Sequence, residues 1–314
     1  MKLSVLGAGV TGLCVASALA EAGFAVEVVA PPRAAPPASY WAGGMLAPFC
    51  ESESAPASVV RCGRHAAAWW EAHGVQVVRR GTLVLAAARD VGELDRFAAL
   101  TEGHRWVAPA ALEPALGARF GRGLWFAEEA HLDPRQALAV LAERLHARSV
   151  RLDVAAPTGR IVDCRGAWAR GELPGLRAVR GEMFYLHAPE VALTRPLRLL
   201  HPRFPCYIVP RGEGRYMVGA TMVESDDDGP ISARAAMELL SAAWTVHPGF
   251  ADARIVETGT GLRPAFADNL PDVRWVDARL HVNGMYRHGF LMGPALAAEV
   301  VQRLREEIET CGSN

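Results

Sequence analysis

The chain has 314 residues, 51% of them hydrophobic, and a formal net charge of −1. That is apolar material for a large core, in two domains, and a charge balance that points to neither nucleic acid nor an anionic membrane; no apolar run is long enough to span a bilayer. Lys2 is the only lysine, which argues against Schiff-base and P-loop chemistry, because both need a lysine placed inside the site.

The opening run Leu3-Ser4-Val5-Leu6 reads as a strand, Gly7-Ala8-Gly9-Val10-Thr11-Gly12 as a glycine turn, and residues 13–22 as a helix. Gly7 permits the tight turn, Gly9 lets the backbone approach a phosphate, and Gly12 lets the helix pack closely on the strand. Free N–H groups and the helix dipole would then face a pyrophosphate. The next strand, Ala25-Val26-Glu27-Val28-Val29, should end in an acid that holds a ribose hydroxyl. Ala30 stands there instead, followed by Pro31-Pro32. This is a dinucleotide fingerprint with one part missing. The leading Lys and apolar residues mimic a secretory leader, but glycines interrupt the apolar region and no leader is expected.

After a proline-rich loop comes Ala42-Gly43-Gly44-Met45-Leu46, whose lack of side chains would let backbone approach a flat ligand, or would simply make a tight loop. Residues 57–73 read as a helix, 81–85 as a strand and 91–100 as a short helix. Asp133-Pro134 starts a helix running to about Ala147, with Asp as cap and Pro at the first helical position. Residues 150–154 and 160–163 read as strands, followed by strand-like runs at 182–187, 196–201, 207–210 and 216–223. Tyr207 and Met222 would then share a sheet face, as core or as site. Ser232 caps a helix to Trp244; residues 255–258 and 280–283 are strands, and residues 293–308 a closing helix.

Arg263, among the small residues Gly259-Thr260-Gly261-Leu262, suits bidentate clamping of a carboxylate or a surface ion pair. The turn Asn283-Gly284-Met285-Tyr286-Arg287-His288-Gly289 leads into the last helix, whose N-terminus could face an electron-rich ring; His288 is an acid–base candidate or a backbone-orienting group. The six cysteines form no C-x-x-C pair and no zinc spacing, and there is no H-E-x-x-H. Reduced thiols in a cytoplasmic protein with no metal are expected.

Four segments together resemble the D-amino-acid-oxidase superfamily of FAD enzymes, glycine oxidases especially: Trp41 to Pro48; Tyr207-Ile208-Val209-Pro210-Arg211 with Val218 to Met222; Gly261-Leu262-Arg263-Pro264; and Tyr286-Arg287-His288-Gly289. The resemblance covers nearly the whole chain. It implies an α/β fold, a Rossmann-like FAD-binding domain (1–75, 131–180, 255–314) interleaved with an antiparallel-sheet substrate domain (76–130, 181–254). Gly7, Gly9, Val10, Thr11, Gly12 and Arg33 would hold the FAD phosphates and adenosine, Val154 the adenine by its backbone. Ala42, Gly43, Gly44, Met45, Leu46, His288, Gly289, Phe290, Leu291 and Met292 would line the flavin. Arg263 would clamp the substrate carboxylate with Tyr207, Met222 would crowd the pocket, and Arg287 would lie near the entrance. The implied reaction is hydride transfer from an amino-acid Cα to the flavin, with oxygen taking the electrons as hydrogen peroxide. A thiazole synthase is an implied acceptor of the imine, and self-association is left open. The alternatives are a D-amino-acid, sarcosine or iminodiacetate oxidase, a nicotinamide-dependent dehydrogenase, and a non-catalytic flavoprotein. The chain departs from the superfamily at Ala30, at residues 160–168, and in the short segment from Val150 to Asp163.

Overall fold

The computed structural model describes residues 1–30, 36–201 and 205–312. Two sheets carry the architecture. The first has five strands in the order Asp272–Val276, Arg279–Asn283, Arg160–Asp163, Lys2–Leu6, Ala25–Val29. Its last four strands are parallel, and only Asp272–Val276 runs against its neighbour. The helix Val10–Glu21 and the closing helix Gly289–Gly312 pack on this sheet and on each other. Small residues make that approach possible. A Cβ on Gly289 would come 3.0 Å from Val10 Cγ1, and one on Gly293 would come 3.2 Å from Cys14 Sγ.

The second sheet has nine strands. Arg177–His187 lies near one end, flanked by Arg215–Gly219, by Val223–Glu224 and by the twelve-residue Arg254–Ala265. Cys206–Pro210, Leu197–Leu200, Thr82–Ala86, Gly123–Phe126 and Arg105–Val107 complete it. Residues 255–265, which the sequence assigns to the cofactor domain, therefore hydrogen-bond into this second sheet. A third sheet has three strands, in the order Met45–Leu46, Ala130–Leu132, Val77–Val78. Among the described residues no helix is long and apolar enough to cross a membrane.

The local signals at helix starts hold. Asp133 accepts the Arg135 and Gln136 N–H groups at 2.8 and 3.2 Å, and Ser232 accepts the Ala235 N–H at 3.2 Å. The expected helix over 57–73 is instead two helices, Ala57–Gly63 and Ala66–Ala72. The closing helix starts at Gly289, four residues before the expected position. Pro294 lies inside it and cannot donate to the carbonyl of Phe290. That carbonyl accepts the Trp70 indole N–H at 2.9 Å instead, so the proline is tolerated.

Residues 150–154 do not form a strand. They make one bridge, Glu27 to Arg151, before Asp153 takes a left-handed conformation at φ 59°. The buried Glu27 carboxylate ties this segment down in place of a ladder, accepting from Ser4 Oγ, the Thr158 N–H and Arg151. Burial opposes its ionisation, but the hydrogen bonds from Ser4 and Thr158 outweigh this and hold its pKa far below the ordinary range.

Candidate active site

A cavity of about 710 Å³ lies between the two sheets. It opens outside the carboxyl ends of Lys2–Leu6 and Arg160–Asp163, where open parallel sheets bind ligands. Gly7, Gly9, Val10 and Thr11 form one wall. Gly7 needs its φ of +98°, and a Cβ there would lie 2.9 Å from Cys164 O. The Val10 N–H reaches Ser39 Oγ at 3.2 Å, and the first intrahelical bond is Leu13 N–H to Gly9 O. The Thr11 and Gly12 amides thus have no helical acceptor, and no acid occupies the first turn.

A second helix N-terminus faces the same space. Gly289, Phe290 and Leu291 line the cavity. The first bond of their helix is Met292 N–H to His288 O, at 2.7 Å, and no acid stands in that first turn either. Two positive helix ends with no acid in their first turns suit an anion along the first wall and an electron-rich ring against the second.

Ala42, Gly43, Gly44 and Met45 also line the cavity. Gly44 is required by protein packing, since a Cβ would sit 2.2 Å from Leu132 O. Gly43 has no such neighbour, and its carbonyl accepts Arg211 Nη2 at 2.7 Å. Four expected cofactor residues lie off the cavity. Gly12 packs on Gly7, Leu46 and Met292 belong to the core, and the Val154 N–H is spent on Val28 O at 3.1 Å. Arg33 lies outside the described residues. Ala30 does line the cavity, and so does Asp153, which the sequence reading passed over.

The other end gathers Arg263, Tyr207, Met222 and Arg287. Arg263 projects from Arg254–Ala265 across its partner strand. Its guanidinium lies on Gly181, where a Cβ would be 2.3 Å from Nη2, and Nη1 donates to Thr221 O at 2.9 Å. Among the described residues no carboxylate pairs with it. Burial, aided by the nearby Arg287 charge, pulls its pKa down to about 10. The Tyr207 hydroxyl is buried and has no partner among the described residues. Burial raises its pKa, and Arg198 and Arg287 oppose that rise.

Met222 is not on the sheet face expected of it. The residue opposite Tyr207 is Gly219, where the strand ends. Met222 reaches the cavity from the connection that follows, and its Sδ accepts from Tyr286 Oη at 3.3 Å.

Arg287 has a partner that the sequence did not suggest. Glu51, at the end of the short helix Pro48–Glu51, meets Arg287 Nη2 at 2.5 Å and lies 3.6 Å from His288 Nδ1. Burial works against the Glu51 charge, but Arg287 leads the cations that outweigh it and bring its pKa to about 2. Burial holds His288 below the ordinary imidazole value, with Glu51 opposing.

The fully buried Glu129 accepts the Cys50 N–H at 2.7 Å. Burial pushes its pKa up to about 7. Between pH about 4.5 and 7 the unfolded chain releases a proton that the folded chain keeps, so stability falls as pH rises through this window. A shift of this size amounts to about 3 kcal/mol once Glu129 is ionised. Glu129→Gln, which can still accept the Cys50 N–H, should therefore raise the melting temperature by several degrees at pH 8 and by almost nothing near pH 4.5. Melting curves across that range check it, and an increment independent of pH would contradict it.

The fold and cavity define a two-sheet α/β protein built to hold a dinucleotide along one wall, with an arginine-lined pocket at the other end. The comparisons narrow this. The family model of DAO, the FAD-dependent oxidoreductases, matches residues 2–303, and the chain belongs to that family. It is 56% identical over 98% of its length, and 97% of the relative's, to a protein of Rhizobium etli named as the thiamine biosynthesis oxidoreductase ThiO. It is 29% identical to the bifunctional protein ThiO/ThiG of a Nostoc species, with 96% of this chain matching 52% of that one. The glycine oxidase of Geobacillus kaustophilus has the same fold, with a TM-score of 0.80, 22% identity and coverage of 96% of this chain and 94% of that one.

Proposed function

We propose that this protein oxidises glycine, or a similarly small amino acid, to its imine and reduces O2 to hydrogen peroxide, with the imine supplying the thiazole part of thiamine. For glycine the balance is one glycine and one O2 to one iminoacetate and one hydrogen peroxide. The Cα–H and N–H bonds break, a C=N bond forms, and two electrons and two protons end on oxygen. The observation that carries this reading is Arg263, a desolvated guanidinium with no carboxylate partner among the described residues, beside the orphaned hydroxyl of Tyr207. A substrate carboxylate satisfies both groups. The residues of the long wall fit FAD, with two acid-free helix N-termini and a glycine cradle on one cavity. When bound, FAD supplies a two-electron acceptor.

The chain's own contribution is placement. Arg263 and Tyr207 fix the carboxylate and so limit where the Cα–H can point, an effective-molarity effect. Met222 and Tyr286, joined by their own contact, crowd the space where a longer side chain would lie. Among the described residues Glu51, the carboxylate at this end, is engaged by Arg287, and the ammonium proton is released to solvent. The product imine is small and hydrolyses in water. A thiazole synthase partner that accepts it directly is the natural consumer, and the fused ThiO/ThiG relative supports that pairing. Anaerobic titration of the purified protein with glycine, followed at the flavin absorbance, tests the reading. Bleaching by glycine supports it, and a flavin that no small amino acid bleaches overturns it.

The ribose end has its own proposal. Asp153 lies beside the end of Ala25–Val29, because Val154 N–H bonds to Val28 O, and it lines the cavity together with Ala30. Asp153 therefore supplies the carboxylate that the second strand lacks, whereas Glu27 is buried and fully engaged. A charge-assisted hydrogen bond contributes about 1.5–3 kcal/mol, so Asp153→Ala should weaken FAD binding by about tenfold or more. Recovery of free-flavin fluorescence on dilution measures this. An unchanged Kd would exclude the role.

A further inference from the structure

Two arginines face the substrate end of the cavity, Arg263 and Arg287, and only Arg287 is compensated there. Its counter-anion is Glu51, at 2.5 Å. Burial keeps the neighbouring His288 on the neutral side, and Asp228 at the exposed rim adds an anion rather than a cation. Among the described residues this leaves Arg263 as the one uncompensated cation for a substrate anion. A single carboxylate neutralises it. A second carboxylate on the same substrate would find Arg287 already paired and would approach Glu51.

Glu51 is also held in place. The Cys50 N–H donates to Glu129 at 2.7 Å, and Cys50 O accepts Arg198 Nη1 at 3.1 Å. Arg198 Nη2 grips Glu53 at 2.5 Å. Both anchors are buried. The segment carrying Glu51 is thus fixed on both sides by groups that lose a hydrogen-bond partner if it moves.

We propose that Glu51 is a specificity-determining residue: by occupying Arg287 it restricts the site to amino acids with one carboxylate and rejects dicarboxylate amines. Exclusion by a fixed like charge is discrimination by repulsion rather than by added attraction. The inference rests on the amino-acid oxidase reading. Its test uses binding of acids that cannot be oxidised, propionate with one carboxylate and glutarate with two, the latter matching iminodiacetate in chain length.

The FAD-loaded protein should bind propionate at least about tenfold more tightly than glutarate, by calorimetry and by perturbation of the flavin spectrum. Glu51→Gln should tighten glutarate by about tenfold and move propionate much less. Adding Arg287→Met to that variant should abolish the gain, since the freed cation is then gone. If Glu51→Gln does not fold, the wild-type ratio still decides: equal affinity for the two acids overturns the proposal. Propionate binding with no gain of glutarate in a folded Glu51→Gln overturns only the role of Glu51. Failure of both acids to bind overturns the oxidase reading and this inference with it.

Discussion

Arg263→Ala should lower kcat/KM for glycine by about 10² to 10³-fold while FAD stays bound. Truncating one partner of a buried, hydrogen-bonded charge pair costs about 2–5 kcal/mol, and each 1.4 kcal/mol is tenfold. The residues proposed to hold FAD line the other wall, so cofactor retention should not follow activity. Stability should move the opposite way. The depressed pKa of Arg263 means that the folded protein disfavours this charge at every pH below about 10, and removing it relieves that cost. A variant that melts no lower than wild type yet has lost its response to glycine is the signature of a residue kept for binding rather than for folding. Arg263→Lys keeps the charge but offers a point donor in place of a fork. Its single nitrogen cannot grip a carboxylate bidentately, so it should recover only part of the loss. Anaerobic flavin-reduction rates against glycine concentration separate affinity from chemistry. Wild-type kcat/KM in Arg263→Ala would remove the clamp.

How much of this was legible depends on the range of the interaction. The glycine turn, the Asp133 cap and the Ser232 cap are local, and their residues announce them. Arg263 and Tyr207 stood out on their own residues, but a surface ion pair is the commoner fate of such an arginine and the tyrosine read as core or site; the resemblance gave each its role. Glu51 was not legible. It ends a helix of one turn, too short for periodicity, and its partner Arg287 is 236 residues away. The closing helix begins four residues before 293 even though Pro294 lies inside it; the indole that satisfies the Phe290 carbonyl is 220 residues from it. Gly181 carried a usable signal. A glycine inside a strand marks close approach, and here the group that approaches is the Arg263 guanidinium.

Gly12→Ala should leave no stable flavoprotein. A Cβ at position 12 would lie 1.8 Å from Gly7 O, so the helix and the end of the first strand must separate by more than an ångström. Neither side can yield cheaply. Gly7 is itself held at φ +98° against Cys164 O, and the strand before it is bonded on both sides, to Ala25–Val29 and to Arg160–Asp163. Overpacking a core side chain costs about 1–3 kcal/mol; backbone against backbone has no rotamer to relax into and should cost more, against a total stability of about 5–15 kcal/mol. Gly23→Ala is the matched control. Gly23 also has a positive φ, +88°, but open space around it, so alanine there should cost only about 1–2 kcal/mol. Soluble yield, melting temperature and bound FAD compare the two. Excess FAD during purification adds a further distinction. If separation of helix from strand only withdraws the Thr11 and Gly12 amides, FAD in excess should restore a folded yellow protein by mass action. If the close contact is what lets the first two strands and their helix pack at all, it should not. The 1.8 Å approach favours the second outcome, and a Gly12→Ala protein that melts like wild type would show that this glycine serves neither purpose.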